Sequence, residues 1–294
     1  MDKLSTPGFK PFSLNIKGRI IGYTRPVVMG IVNATDDSFF AGSRTGIDAC
    51  ATSRRAEKMA AEGAGMIDIG AYSSRPGATD IPADEEIRRL GVAVKAVREA
   101  VGTEMPISID TFRAEVARSA IADMGADIVN DISGGLLDPA MFDTVAELRV
   151  PYILMHMRGT PATMQSLTDY PDGVTAGVIS ELQSKVRRLA LMGVADVIVD
   201  PGFGFAKTLD QNYELMSQLA TVGKALGRPM LVGVSRKSMI NKLIGTTPAE
   251  ALNGTTVLHT VSILQGASIL RVHDVDPACE AVKITEKIIN PCDA

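Results

Sequence analysis

The sequence has no tryptophan and only 4 % aromatic residues, so its core must be built from aliphatic side chains and methionine. Its cysteines, Cys50, Cys279 and Cys292, are odd in number and fall in no metal-binding or redox spacing, which excludes a disulfide framework. No apolar run is long enough to span a bilayer, and Met1 to Lys10 lacks the apolar stretch of a signal peptide. Basic residues are in slight deficit, 30 Lys and Arg against 34 Asp and Glu, for a formal net charge of −4. That balance argues against a broad nucleic-acid surface but leaves room for a local anion site. The expectation is a cytoplasmic enzyme of small molecules, with neither nucleic acid nor membrane as partner.

What the chain does have is a recurrent unit. Short apolar, largely β-branched runs stop at polar residues: Val27 to Val32 at Asn33, Met66 to Gly70 ahead of Ser73-Ser74-Arg75, Ile107 to Ile109 at Asp110, and Ile128-Val129 at Asn130. The pattern continues with Tyr152 to Met155 at His156, Val197 to Val199 at Asp200, Met230 to Val234 at Ser235-Arg236-Lys237, and Ile269-Leu270 at Arg271 and His273. Buried parallel strands read as short continuous apolar runs. Eight such runs, each followed by a helical stretch, predict an α/β fold of the TIM (β/α)8 barrel type, typically of roughly 250 residues. Phe12, Leu14 and Ile16 alternate with polar residues ahead of Lys17-Gly18 and Ile20-Ile21, which predicts a short N-terminal β-hairpin closing the barrel's bottom. The expected division is 1–25 for extension and hairpin and 26–294 for one barrel domain. Helices are expected near 47–63, 84–101, 112–124, 138–148, 173–192, 209–226, 249–265 and 276–289. Pro82 to Glu86 marks one start with a cap-type residue and first-turn acids. Loops 33–46, 71–83 and 156–172, beyond the carboxyl ends of their strands, are long enough to be lids.

The polar terminators then share one mouth, the catalytic face of such barrels. Asp110, Asn130 and Asp200 bear acceptors whose burial is costly unless hydrogen-bonded, and a flat heterocycle rich in N–H donors would satisfy them. The plainer use of Asp110 is to cap the next helix. Lys237 offers a donor to a ring oxygen or nitrogen, or only surface charge. Strand alternation puts Arg271 and His273 on one face, where Arg suits a planar ring or phosphate and His adds a donor; a salt bridge with Asp274 is the competing use. Asn33 has a neutral oxygen suited to a hard cation that bridges phosphate, and Ser74 and Arg75 add a hydroxyl and a guanidinium. With His273 these residues point to a diphosphate. Gly202 to Lys207 has a glycine spacing reminiscent of nucleotide loops but lacks the rest of either fingerprint, and is set aside.

At this point the motifs resemble a known family. Met29 to Thr35, Asp37-Ser38-Phe39, Ser74-Arg75-Pro76-Gly77, Ile109-Asp110-Thr111 and Asn130 to Gly135 are similar to those of the dihydropteroate synthases. So are Met155-His156-Met157, Asp200 to Phe205, Gly233 to Ser238 and Arg271 to Asp274, all in order between about residues 26 and 285. The resemblance implies a transferase of folate synthesis that joins 6-hydroxymethyl-7,8-dihydropterin diphosphate to p-aminobenzoate, with Mg²⁺ as cofactor, and a homodimer. It implies that Asp110, Asn130, Asp200 and Lys237 hold the pterin, that Arg271 stacks on it, and that Met155 and Phe205 form apolar walls. Asn33 would ligate Mg²⁺, while Ser74, Arg271 and His273 would hold the diphosphate. Asn33, Arg75, Lys237, Arg271 and His273 are the implied catalytic set.

The first loop departs from the family pattern. Asp36 stands where proline is usual, Ala41 where a second aspartate is usual, and Ala71-Tyr72 where Gly-Glu is usual. Ser74 replaces the commoner Thr and keeps the hydroxyl. These departures bear on the p-aminobenzoate site, the target of sulfonamides, rather than on the reaction. The expectation for loop 33–46 is that it orders over bound ligands, with Asp36 or Asp37 compensating for Ala41. Two other readings compete: a methyltetrahydrofolate–corrinoid methyltransferase, which would give the anion-binding residues no task, and a catalytically idle pterin-binding barrel.

Overall fold

The computed structural model describes residues 8–34, 48–72 and 81–291. Strands β1 (Phe12–Ile16) and β2 (Arg19–Tyr23) pair antiparallel in the expected hairpin. Eight parallel strands follow: β3 (Val27–Asn33), β4 (Met66–Gly70), β5 (Ile107–Asp110), β6 (Ile128–Asp131), β7 (Tyr152–Met155), β8 (Val197–Asp200), β9 (Leu231–Val232) and β10 (Ile269–Val272). They lie in the order β8-β7-β6-β5-β4-β3-β10-β9, and a Val199–Met230 bridge joins the two ends. This is the (β/α)8 barrel the apolar runs predict.

Two apolar layers follow from strand alternation. Residues such as Val28, Ile67, Val129, Leu154, Val199 and Leu270 face outward into the main core against the helices. The opposite parity, Met29, Met66, Ile128, Ile153, Ile198, Leu231 and Ile269, fills the lower barrel, and Leu14 and Ile16 of the hairpin pack into the same cluster. The hairpin thus closes the amino-terminal end. Lys17 locks it there by pairing with Asp127 at 2.7 Å, and Arg98 reaches the same carboxylate at 2.7 Å.

The helices are α1 (Ala49–Ala61), α2 (Ala83–Val101), α3 (Ala114–Ala122), α4 (Met141–Leu148), α5 (Val174–Leu191), α6 (Leu209–Ser217), α7 (Leu219–Leu226), α8 (Ser238–Ile244), α9 (Leu252–Leu264) and α10 (Val275–Ile289). Three expectations need correction. The helix expected over 209–226 is two, parted at Gln218, whose backbone leaves the helical region at φ −111° and ψ 15°. The strand expected over 230–234 is only Leu231–Val232, because Val234 enters a turn in which its carbonyl accepts from the Lys237 amide; α8 then begins at Ser238. Helix α2 is capped by Pro82 without a side-chain bond, so Asp84 lies inside its first turn and is no cap. The acids there serve other ends, since Glu86 is fully buried and pairs with Arg113.

Candidate active site

Two residues above the apolar plug, the same inward face turns polar. Met66 is followed by Asp68, Ile128 by Asn130, Ile198 by Asp200, Leu231 by Gly233 and Ile269 by Arg271. Arg271 is the hub. Its Nε donates to Asp68 Oδ2 at 2.6 Å and its Nη2 to Asp110 Oδ2 at 2.7 Å, while Asn130 Nδ2 donates to Asp68 Oδ2 at 3.2 Å. Side chains from β4, β5, β6 and β10 are thereby tied together across the mouth. Burial pushes the Asp110 carboxyl well up, against the pull of Arg271, and neighbouring Asp68 adds to the rise. Burial alone would lower the Arg271 guanidinium, but Asp68 and Asp110 outweigh it and hold it firmly charged. Asp110 is no helix cap: the amide of Ala114 at the head of α3 is taken by Asp138 at 2.7 Å.

A second cluster faces it around Gly233. A Cβ there would lie 3.9 Å from Lys237 Nζ, 4.0 Å from Arg271 Cβ and 4.0 Å from Asp200 Oδ2, so these side chains converge on the space that glycine leaves. Asp200 Oδ1 accepts from the Gly202 amide at 2.8 Å. Burial raises its carboxyl, and Lys237 opposes that rise. Lys237 Nζ donates to the Phe203 carbonyl at 2.5 Å and stands 4.8 Å from the Phe205 ring centroid. Burial lowers its ammonium to about 8, with Asp200 holding it up. Met155, Ile132, Met157, Met164 and Ala206 form an apolar wall, against which Phe205 and Phe112 pack.

His273 stands at the end of β10, its backbone amide donating to Ser235 Oγ at 3.1 Å and its Nδ1 lying 3.1 Å from the same hydroxyl. Burial and nearby Arg271 push the imidazole down to about 4, so it is neutral near pH 7. The alternative salt bridge to Asp274 does not form with either residue. Asp274 is gripped instead by Arg236, at 2.7 and 2.9 Å. Asn33 ends β3 as an exposed residue.

The expected Mg²⁺ is corrected. Among the described residues no group of three or more His, Cys, Asp or Glu side chains could hold a metal ion. The physical reason lies in the acids themselves: Asp68 and Asp110 are held by Arg271, and Asp200 is turned toward the Gly202 amide. Asn33 is therefore not assigned as a metal ligand. Ser74 and Arg75, with Asp36, Asp37 and Ala41 of the first loop, lie outside the described residues.

The pterin-binding enzyme family matches residues 29–273. Dihydropteroate synthase of a Synechocystis species is 43 % identical over 267 residues, covering 90 % of both chains. The chain belongs to the dihydropteroate synthase family. Its fold is similar to that of the family member from Xanthomonas albilineans solved with 4-aminobenzoic acid, at TM-score 0.84 and 37 % identity over 94 % of this chain and 97 % of that one. The same organism's enzyme in complex with 7,8-dihydropteroate gives TM-score 0.82 and 35 % identity, over 94 % and 98 %.

Family resemblance and motif reading both passed over Asp68, which lies inside an apolar run instead of at its end. Its signal was parity. It shares the inward face with Met66, and a carboxylate buried mid-strand demands a partner. Lys207 also escapes the sequence reading, because neither the glycine spacing of its loop nor the Asp200 to Phe205 family motif gives it a role. Gly202 in that loop has φ +71°, and a Cβ on it would fall 2.0 Å from the His156 carbonyl oxygen. Gly202→Ala should therefore cost at least about 2 kcal/mol, from the left-handed backbone and the clash together. A urea midpoint equal to the parent's would show that the loop yields freely.

Proposed function

We propose that the mouth of this barrel joins 6-hydroxymethyl-7,8-dihydropterin diphosphate to p-aminobenzoate, giving 7,8-dihydropteroate and diphosphate. The observation that carries this reading is the ring of buried acceptors and cations on one inward face, in a chain of the dihydropteroate synthase family. Asp110, Asn130 and Asp200 offer acceptors to the N–H-rich edge of the pterin, and Lys237 donates to it. The guanidinium of Arg271 is held by in-plane bonds to Asp68 and Asp110, an arrangement that leaves its flat faces for stacking on a ring. Met155 and Phe205 supply the apolar walls.

The chemistry is positioning and electrostatics. The C–O bond to diphosphate breaks as Arg271, the His273 N–H and the neutral amide of Asn33 stabilise the departing charge. Ser74 and Arg75 are assigned to the same anion from the sequence. The pterin ring delocalises the positive charge left on its methylene carbon, and the neutral arylamine attacks that carbon and then sheds a proton. No strong general base is required, since the arylamine is nucleophilic as it stands.

The direct test is dihydropteroate formation by the purified protein from the two substrates. Methyl transfer from methyltetrahydrofolate to a corrinoid, with no dihydropteroate formed, would overturn the reading. The anion assignment has its own test. Loss of a charge-assisted or buried hydrogen bond costs about 1–3 kcal/mol, so His273→Ala and Asn33→Ala should weaken the diphosphate ester at least about fivefold. Both should bind the pterin alcohol, which has no diphosphate, nearly as the parent does. Equal losses for ester and alcohol would mean that these residues only support the pocket.

A homodimer is the assembly we assign, on the exposed apolar side chains of adjacent helices: Leu243 and Ile244 of α8, Leu252 and Val257 of α9, and Ile284 and Ile288 of α10. No helix among the described residues is long and apolar enough to cross a membrane.

A further inference from the structure

Lys207 is a lysine in a place where lysines are rarely found. It is 4 % exposed, and its Nζ donates to the carbonyls of Gly202 at 2.9 Å and Phe205 at 3.0 Å and contacts His156 Nδ1 at 3.1 Å. An ammonium has three protons, and each finds an acceptor here. Burial and the charge of Lys207 keep the His156 ring down at about 4, though nearby Glu181 pulls the other way, so the ring is neutral. A neutral ring accepting on Nδ1 has its proton on Nε2, which lies 3.1 Å from Glu181 Oε2. Glu181 in turn is gripped by Arg158 at 2.8 and 2.5 Å. Burial brings the Lys207 ammonium down to about 7, while Asp200 and, one ring away, Glu181 hold it up.

The turn that Lys207 ties is the one on which half of the pterin site rests. Its Gly202 amide holds Asp200 Oδ1, and its Phe203 carbonyl takes Lys237 Nζ. Its Phe205 ring lies beside that same ammonium. At Gly202 the backbone packs so closely on the His156 carbonyl that no side chain fits there. Asn212 Oδ1 steadies the Gly204 amide at 2.7 Å, but the carbonyls on either side point at Lys207.

We propose that Lys207 is a positioning residue for pterin binding: its buried Nζ, bonded to the Gly202 and Phe205 carbonyls, fixes the Gly202–Phe205 turn so that Asp200 and Lys237 are presented together to the ring. The inference deepens the proposed function and rests on the pterin assignment. It predicts that Lys207 acts through Asp200 and Lys237 and not through the Arg271 cluster.

A double-mutant cycle reads that routing, because residues acting through a shared partner are non-additive and independent ones are additive. Affinity for the pterin alcohol is measured by calorimetry. Lys207→Met should weaken it about tenfold in the parent chain, about tenfold again in an Asn130→Ala background, and less than about twofold in an Asp200→Ala/Lys237→Ala background. Losses of equal size in both backgrounds would reduce Lys207 to a support of the fold, and an unchanged affinity in the parent chain would remove it altogether. Should Lys207→Met not fold, Lys207→Gln, which keeps two donors without the charge, runs the same cycle with smaller steps. A parent chain that does not bind the pterin alcohol would sink the pterin assignment itself, an outcome distinct from an additive cycle in a chain that does bind.

Discussion

Arg271→Met should destabilise the fold by about 3–5 kcal/mol, because it strands two carboxylates that among the described residues have no other cation at bonding distance. Arg271 keeps some contact with solvent, its side chain being 21 % exposed, so the lower end of that range is expected. The deficit should depend on pH in a defined direction. Without the guanidinium, burial beside Asp68 leaves the Asp110 carboxyl with a folded-state affinity for protons above that of the unfolded chain. The folded variant then gains relative stability as pH falls and loses it as pH rises through the raised carboxyl range. Urea unfolding of parent and variant should therefore show a larger gap at pH 8 than at pH 5. Asp68→Asn combined with Arg271→Met should recover part of the loss, since it removes one of the stranded charges. A gap below about 1 kcal/mol at both pH values would mean that the pair contributes no more than a surface ion pair.

Asp200→Ala and Lys237→Ala should each weaken binding of the pterin alcohol at least tenfold, because removing one partner of a buried polar pair costs about 1–3 kcal/mol and more when charge is involved. Lys237 Nζ and Asp200 Oδ2 lie 3.9 and 4.0 Å from where a Cβ on Gly233 would stand, so both border the same space. The ammonium of Lys237, brought down to about 8 by burial against the pull of Asp200, is charged below that pH and neutral above it. Affinity for the pterin alcohol should accordingly fall as pH rises through about 8, and Lys237→Ala should flatten that slope. Titration of parent and variant between pH 6 and 9 is the measurement. Near-parent affinity in both alanine variants would refute the assignment, and a slope surviving in Lys237→Ala would place the titrating group elsewhere.

The barrel was legible because its strands are short apolar runs with abrupt ends, and burial on both faces leaves no alternation to confuse them with surface strands. The terminators Asp110, Asn130, Asp200, Lys237 and Arg271 were legible for the same reason, as each ends or follows a run, and the structure brings them to one mouth. Asp68 escaped because nothing about it is terminal; only its inward parity gives it away. Lys207 escaped because its role lies in backbone carbonyls, which no side-chain motif records. Helix continuity at Gln218 and the brevity of β9 were unreadable because both depend on tertiary packing that overrides local propensity. The Mg²⁺ expectation rests on the Asn33 oxygen as well as on the family resemblance, and it errs because neither shows which acids an arginine has already taken.

The barrel is a hoop with one thin joint. Most neighbouring strands share ladders of three to five residue pairs, but β9 has only two residues, and β8 meets that segment through the Val199–Met230 bridge and a 2.9 Å bond from the Val199 amide to the Pro229 carbonyl. Asp200 stands just above this joint on one side and Lys237 on the other. A pterin held by both side chains is a clasp over the place where the ring would part most easily. Substrate and hoop are then mechanically coupled: closing the joint aligns the two groups, and filling the site keeps the joint shut.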